Sequence, residues 1–143
     1  SSGGIGTNYC AAHANSTGQP AAMAASGSAV AAANDVTLAA SRMPANAFGY
    51  FIVSQTAGFA ANPGGSAGNL CLGGTIGRYD QSVQSSGATG AFGLAIDLTS
   101  IPMPTGTVSA AAGETWRFQA WFRDAQGGSA TSNFTDGLAV TLQ

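Results

Sequence analysis

The 143-residue chain contains no lysine, and its only cations are Arg42, Arg78, Arg117 and Arg123. Charged residues make up 7% of it, against about 25% in ordinary globular domains. With a net charge of -2 and no basic cluster, nothing is arranged to neutralise a row of phosphates, so nucleic acid is not an expected partner. The polybasic route to a membrane surface fails for the same reason. Long apolar runs are also missing. The Ala-rich segment 21–41, AAMAASGSAVAAANDVTLAAS, is broken by Ser, Gly, Asn and Asp before it reaches the roughly 18 residues that a spanning helix needs. The single histidine, His13, lies in the loop-like stretch AAHANSTG, where an imidazole is ordinarily solvated rather than poised as a general base. No G-x-S-x-G elbow, H-E-x-x-H helix or phosphate-binding loop is present. No charged stretch followed by an apolar one opens the chain, so any export signal is expected to lie outside it. Residues 1–5 read as a linker or a processed start.

What is present argues for a folded β domain. The chain is 45% hydrophobic and carries two Trp, three Tyr and seven Phe. That composition is incompatible with a disordered polymer. A chain of this length fits one domain and buries about 68 to 70% of its unfolded surface, enough for a core without a metal. No cofactor is expected. Two cysteines far apart, Cys10 and Cys71, in a Ser/Thr/Asn/Gly-rich chain favour a disulfide and an oxidising compartment. Closing so long a span is worth about 4 kcal/mol in the loop-entropy picture.

Gly and Pro punctuate the sequence at the short intervals of strands and turns. Nine strands are predicted, at 22–28, 36–41, 49–54, 70–72, 75–79, 91–98, 107–110, 115–123 and 138–142. A helix over 21–33 is the competing reading, because Ala is the best helix former. Against it, Gly27 and the serines weaken a helix, and Val36, Leu38 and Ala40 alternate with Thr37, Ala39 and Ser41. The stretch FGYFIVSQ (48–55) is apolar on both faces, as a central strand covered on both sides would be. Phe92, Leu94, Ile96 and Leu98 alternate with small or polar residues. IPMPTG (101–106) cannot be strand interior and is expected as a connecting loop or edge. The predicted fold is one all-β sandwich, jelly-roll-like or immunoglobulin-like, with about eight or nine short strands.

The densest stretch is WRFQAWFRD, residues 116–124. At a two-residue period Trp116, Phe118, Ala120 and Phe122 share one face, which is a core face. Arg117, Gln119, Trp121 and Arg123 share the other. That second face admits two readings. Trp121 beside Arg117 and Arg123, with Tyr79 as a further aromatic, has the composition of a carbohydrate site. Alternatively the face is a polar layer beneath a long loop, with Gln and Arg tying down its carbonyls. Paired carboxylates for a glycosidase would come from Asp97, Glu114, Asp124 and Asp136, a pool with no distinguishing spacing. Asp124, Asn133 and Asp136 are weak calcium candidates within one loop, without the spacing of a dedicated calcium loop. Asn15-Ser16-Thr17 and Asn133-Phe134-Thr135 match glycosylation sequons.

Taken in order, GTNYC, ANSTG, NDVTLAAS, FGYFIVSQ, GNLCLGG with IGRY, WRFQAWFRD and SNFTDGLAVTLQ resemble an uncharacterised C-terminal β-sandwich domain of large secreted bacterial proteins. The resemblance runs over nearly the whole chain. It implies an exported, non-catalytic module over residues 6–143, located outside the cell or at its surface, with no catalytic residue to carry over. The partners expected are a polysaccharide or cell-surface component, or, in the alternative of an extracellular fibre, copies of the chain itself.

Overall fold

The computed structural model describes residues 4–126 and 128–143. In chain order the strands begin with β1 (Gly4–Ile5), β2 (Thr7–Tyr9), β3 (Ala22–Gly27), β4 (Val36–Ser41) and β5 (Phe48–Ser54). They continue with β6 (Thr56–Ala61), β7 (Asn69–Gly73), β8 (Gly77–Arg78), β9 (Gln84–Ser85) and β10 (Phe92–Ile96). The last are β11 (Ile101–Met103), β12 (Gly106–Val108), β13 (Thr115–Gln126), β14 (Ser129–Phe134) and β15 (Gly137–Thr141). One antiparallel sheet has the order β1-β3-β4-β10. The larger has the order β2-β15-β13-β5-β8, with β14 added to β13 and β9 to β5. Two hairpins, β11-β12 and β6-β7, complete a disulfide-linked all-β sandwich.

The core lies between the sheets and explains why the Ala-rich segment is extended. Met23, Ala25, Val36, Leu38 and Ala40 form the inner face of β3 and β4, and all are buried. The facing layer is aromatic: Phe51, Trp116, Phe118 and Phe122, with Ala120 between them. Small side chains on one sheet leave room for rings on the other, so close packing selects the strand over the helix that alanine alone would favour. Phe51 meets Phe92 edge to face across the layers, with ring centres 5.3 Å apart. A single short 3₁₀ turn at Ala31–Ala33 is the only helical trace left in that segment.

The structure departs from the sequence reading in identifiable places. Gly4 and Ile5 are not linker: they pair as β1 with Ser26 and Ala25, and Ile5 packs against the core. The chain then crosses to the other sheet as β2, turning at Gly6, whose φ of 87° suits glycine. Strand 75–79 shrinks to Gly77–Arg78, and β11 packs so closely on it that a Cβ on Gly77 would lie 1.7 Å from the Pro102 carbonyl oxygen. Ile101–Met103 is the edge form of the two expectations for IPMPTG. Strands β6 and β14 were not foreseen. Their residues, TAGFAA and SATSNF, lack the apolar alternation that marks a half-buried strand.

The outer face of the larger sheet is covered too. Hairpin β6-β7 folds back over it, and Ile52, Leu72 and Phe134 form a second, smaller apolar cluster beneath. Cys10 is joined to Cys71 on β7. Strand β5 is thereby covered on both faces from Phe51 to Ser54, as its two-sided apolar sequence requires, while Phe48 stays exposed and Tyr50 half-buried.

Candidate functional site

Strand β13 sends Arg117, Gln119, Trp121 and Arg123 to this outer face, and the four meet different surroundings. Gln119 is fully buried. Its Nε2 donates to the carbonyls of Asn69 (2.8 Å) and Thr135 (2.7 Å), and its Oε1 accepts the Cys71 amide (2.9 Å). The free edge of β7 is thus satisfied by side chains rather than by another strand. Tyr9 Oη donates to the Cys71 carbonyl at 2.8 Å and Ser54 Oγ to the Gly73 carbonyl at 2.6 Å, completing the attachment. Arg117 donates to the Gln55 carbonyl at the start of the hairpin. Gln119 and Arg117 therefore serve as fasteners of the covering hairpin.

Trp121 and Arg123 lie at the loop end of the hairpin, where Trp121 is half-buried against Ile52, Leu72 and Phe134 and Arg123 is exposed. In the sheet Trp121 is paired with Tyr50 on one side and Phe134 on the other. The Tyr50 and Trp121 ring centres are 5.3 Å apart, tilted by 35°. The Arg123 guanidinium carbon sits 5.8 Å from the Trp121 ring centre, within cation–π range. Two shallow grooves meet at Trp121. The larger, about 410 Å³, is walled by Tyr50, Ile52, Leu70, Ile76 and Arg78. The other, about 270 Å³, has a polar wall of Ser66, Thr131 and Ser132 together with Arg123. Chemically this is an aromatic ledge with guanidinium and hydroxyl groups at its margins, able to take the flat apolar face of a ring and hydrogen-bond its substituents.

Tyr50, Ile76 and Arg78 were missed as site residues. The signal was faint: Tyr50 sits inside FGYFIVSQ, which reads as core, and only strand register places it beside Trp121. Conversely, Tyr79 does not join the ledge. Its ring packs against the main core and its hydroxyl is sealed from solvent, so burial, reinforced by Asp97, pushes the phenol far above its ordinary pKa.

The calcium candidates do not share one loop: Asp124 is on β13, Asn133 on β14 and Asp136 between β14 and β15. Asp124 Oδ2 accepts the Ser16 amide, and Asn133 is buried with its Nδ2 directed to the Ala14 carbonyl. Asp136 accepts the Met23 amide (2.8 Å) and Asn8 Nδ2 (3.1 Å). Burial raises the Asp136 pKa against the pull of those two donors. Among the described residues no three His, Cys, Asp or Glu side chains gather in one place. Asp97 and Glu114 also serve local structure. Asp97 Oδ1 accepts the Thr99 hydroxyl and amide and Asn34 Nδ2, and Glu114 Oε1 accepts the Ala111 amide and Trp116 Nε1. Both sequon asparagines are buried, with Asn15 Nδ2 donating to the Arg42 carbonyl. His13 is exposed.

The fold and site together define an antiparallel β-sandwich whose outer face carries a disulfide-anchored hairpin beside an aromatic ledge. No protein family, curated protein or solved structure matches the chain. Among the described residues no helix is long and apolar enough to cross a membrane.

Proposed function

We propose that the chain is a non-catalytic accessory module of a secreted protein, attaching it to a polysaccharide or cell-envelope component through the Trp121 ledge. The observation that carries this reading is the pairing of Trp121 with Tyr50 in a groove at the loop end of the hairpin, where both rings are half-buried. A half-buried aromatic pair lining a groove is suited to stacking on sugar rings. The carboxylates a glycosidase would need are committed to backbone amides and turns, which supports binding rather than hydrolysis. The disulfide fits an oxidising, extracellular setting. The test is retention of the purified chain on insoluble cellulose, chitin and xylan and, by affinity electrophoresis, on soluble charged glycans. Trp121→Ala is expected to lower the urea midpoint, because the ring packs against Ile52, Leu72 and Phe134, and, assayed well below that midpoint, to lose binding at least tenfold, a hot-spot loss of about 1.4 kcal/mol or more. Wild-type retention in that variant, or no retention on any polymer, would overturn the reading.

A second reading, a subunit of an extracellular fibre, has one observation in its favour. Among the described residues strand β6 pairs only with β7; it carries no charge and exposes Phe59 at 67% of its surface. An uncharged open edge of this kind can add a strand from a second copy. The N-terminal residues 4–9, which could otherwise reach such an edge, pair within their own chain as β1 and β2. Sedimentation velocity over a wide concentration range decides between the readings.

A further inference from the structure

The two grooves that meet at Trp121 contain two arginines, Arg78 and Arg123, and no carboxylate. Half of the chain's four cations are therefore placed at one ledge, in a protein whose six acidic residues outnumber its basic ones. Both side chains are exposed. Among the described residues Arg78 has no hydrogen-bond or ion-pair partner, and Arg123 has only the Trp121 ring. The acidic neighbours lie in adjoining depressions: Asp80 beside Arg78, and Asp124, which accepts the Ser16 amide, beside Arg123.

Register fixes their spacing. Arg78 is paired with Ile52, Ile52 with Gln119, and Arg123 lies four residues farther along β13. Two inter-strand steps and four residues of strand separate the two Cα atoms by roughly 16 Å, on one face of the sheet. Trp121 and Tyr50 lie between them. The arrangement is cation, aromatic pair, cation along a diagonal.

Resting on the carbohydrate-binding reading, we infer that the ligand is an acidic polysaccharide bearing carboxylate groups on its sugar rings. Stacking on Trp121 and Tyr50 holds the rings, and Arg78 and Arg123 take carboxylates at the two ends, where the planar guanidinium matches a carboxylate in a bidentate fork. Charge complementarity is the selecting feature. A neutral glycan would leave both guanidinium groups without a counter-charge, so they would add nothing to its binding.

The experiment measures binding of the whole chain to polygalacturonate, to dextran sulfate and to neutral dextran by affinity electrophoresis, alongside the insoluble neutral polymers. The expected result is retention by polygalacturonate, weakened by added salt. Arg78→Gln and Arg123→Gln should each reduce it about tenfold or more, as loss of a charge-assisted hydrogen bond would. Arg42→Gln, which lies outside both grooves, should leave it unchanged. Neutral polymers bound as tightly, with Trp121→Ala impaired and both Arg variants intact, would overturn the acidic-ligand inference and leave the binding reading standing. Equal retention by dextran sulfate would reduce the site to a general anion contact and overturn the carboxylate assignment. No retention by any polymer would overturn both.

Discussion

Gln119→Leu removes the side chain that fastens β7 to β13 while keeping nearly the same volume, so little of its effect would come from a cavity. Three backbone groups lose their partner: the Cys71 amide and the Asn69 and Thr135 carbonyls. Gln119 is fully enclosed, so water cannot replace it without opening the hairpin. At about 1–3 kcal/mol for each buried orphan, less for carbonyls that keep a second partner, the expected loss is roughly 3–6 kcal/mol. That is a large part of the roughly 5–15 kcal/mol that holds an ordinary domain together. Urea unfolding followed by tryptophan fluorescence, with the disulfide kept oxidised, gives the difference directly when the slope with denaturant is unchanged. Gln119→Glu sharpens the test. Its carboxylate still accepts the Cys71 amide but faces two carbonyl oxygens, so it should be destabilised at neutral pH and partly recover when acid protonates it. A loss below about 1 kcal/mol in the leucine variant would refute the reasoning, because it would mean that these backbone groups find other partners.

Reduction, or the double substitution Cys10→Ser/Cys71→Ser, should lower stability by about 4 kcal/mol on loop entropy alone, read as a shift in the urea midpoint. Asp97 and Glu114 are held below their ordinary carboxylate range, Asp97 by the Thr99 hydroxyl and amide and Asn34, Glu114 by the Ala111 amide and the Trp116 indole. Their contribution is therefore full above the unfolded carboxylate range near pH 4 and is lost as pH falls through the folded values. Asp97→Asn/Glu114→Gln should flatten the acid limb of the midpoint measured between pH 2 and 6. Asp136 acts in the opposite sense, since burial raises it, and its contribution is lost as pH rises through its folded value.

Much of the architecture was legible because it rests on local patterning. The alternation in 116–122 and 36–40 and the two-sided apolar stretch at 48–55 specify which faces are buried, whatever they pack against. The cysteine pair was legible from composition. Strands β6 and β14 were not, since a strand paired by its backbone and exposed or polar along its side chains leaves no periodic signal. The same limit separates Gln119 from Trp121. Both belong to one face by period, and the sequence by itself determined that much: an all-β chain, a core face on β13, and a mixed polar and aromatic face behind it. Only the tertiary structure decided that the hairpin buries the glutamine against three backbone groups and leaves the tryptophan half-buried at its loop end, in a groove with Tyr50 and Arg78 and beside Arg123. The reason is physical: neighbours along a strand follow from a two-residue period, whereas neighbours across strands depend on register and on which distant segment folds over the sheet.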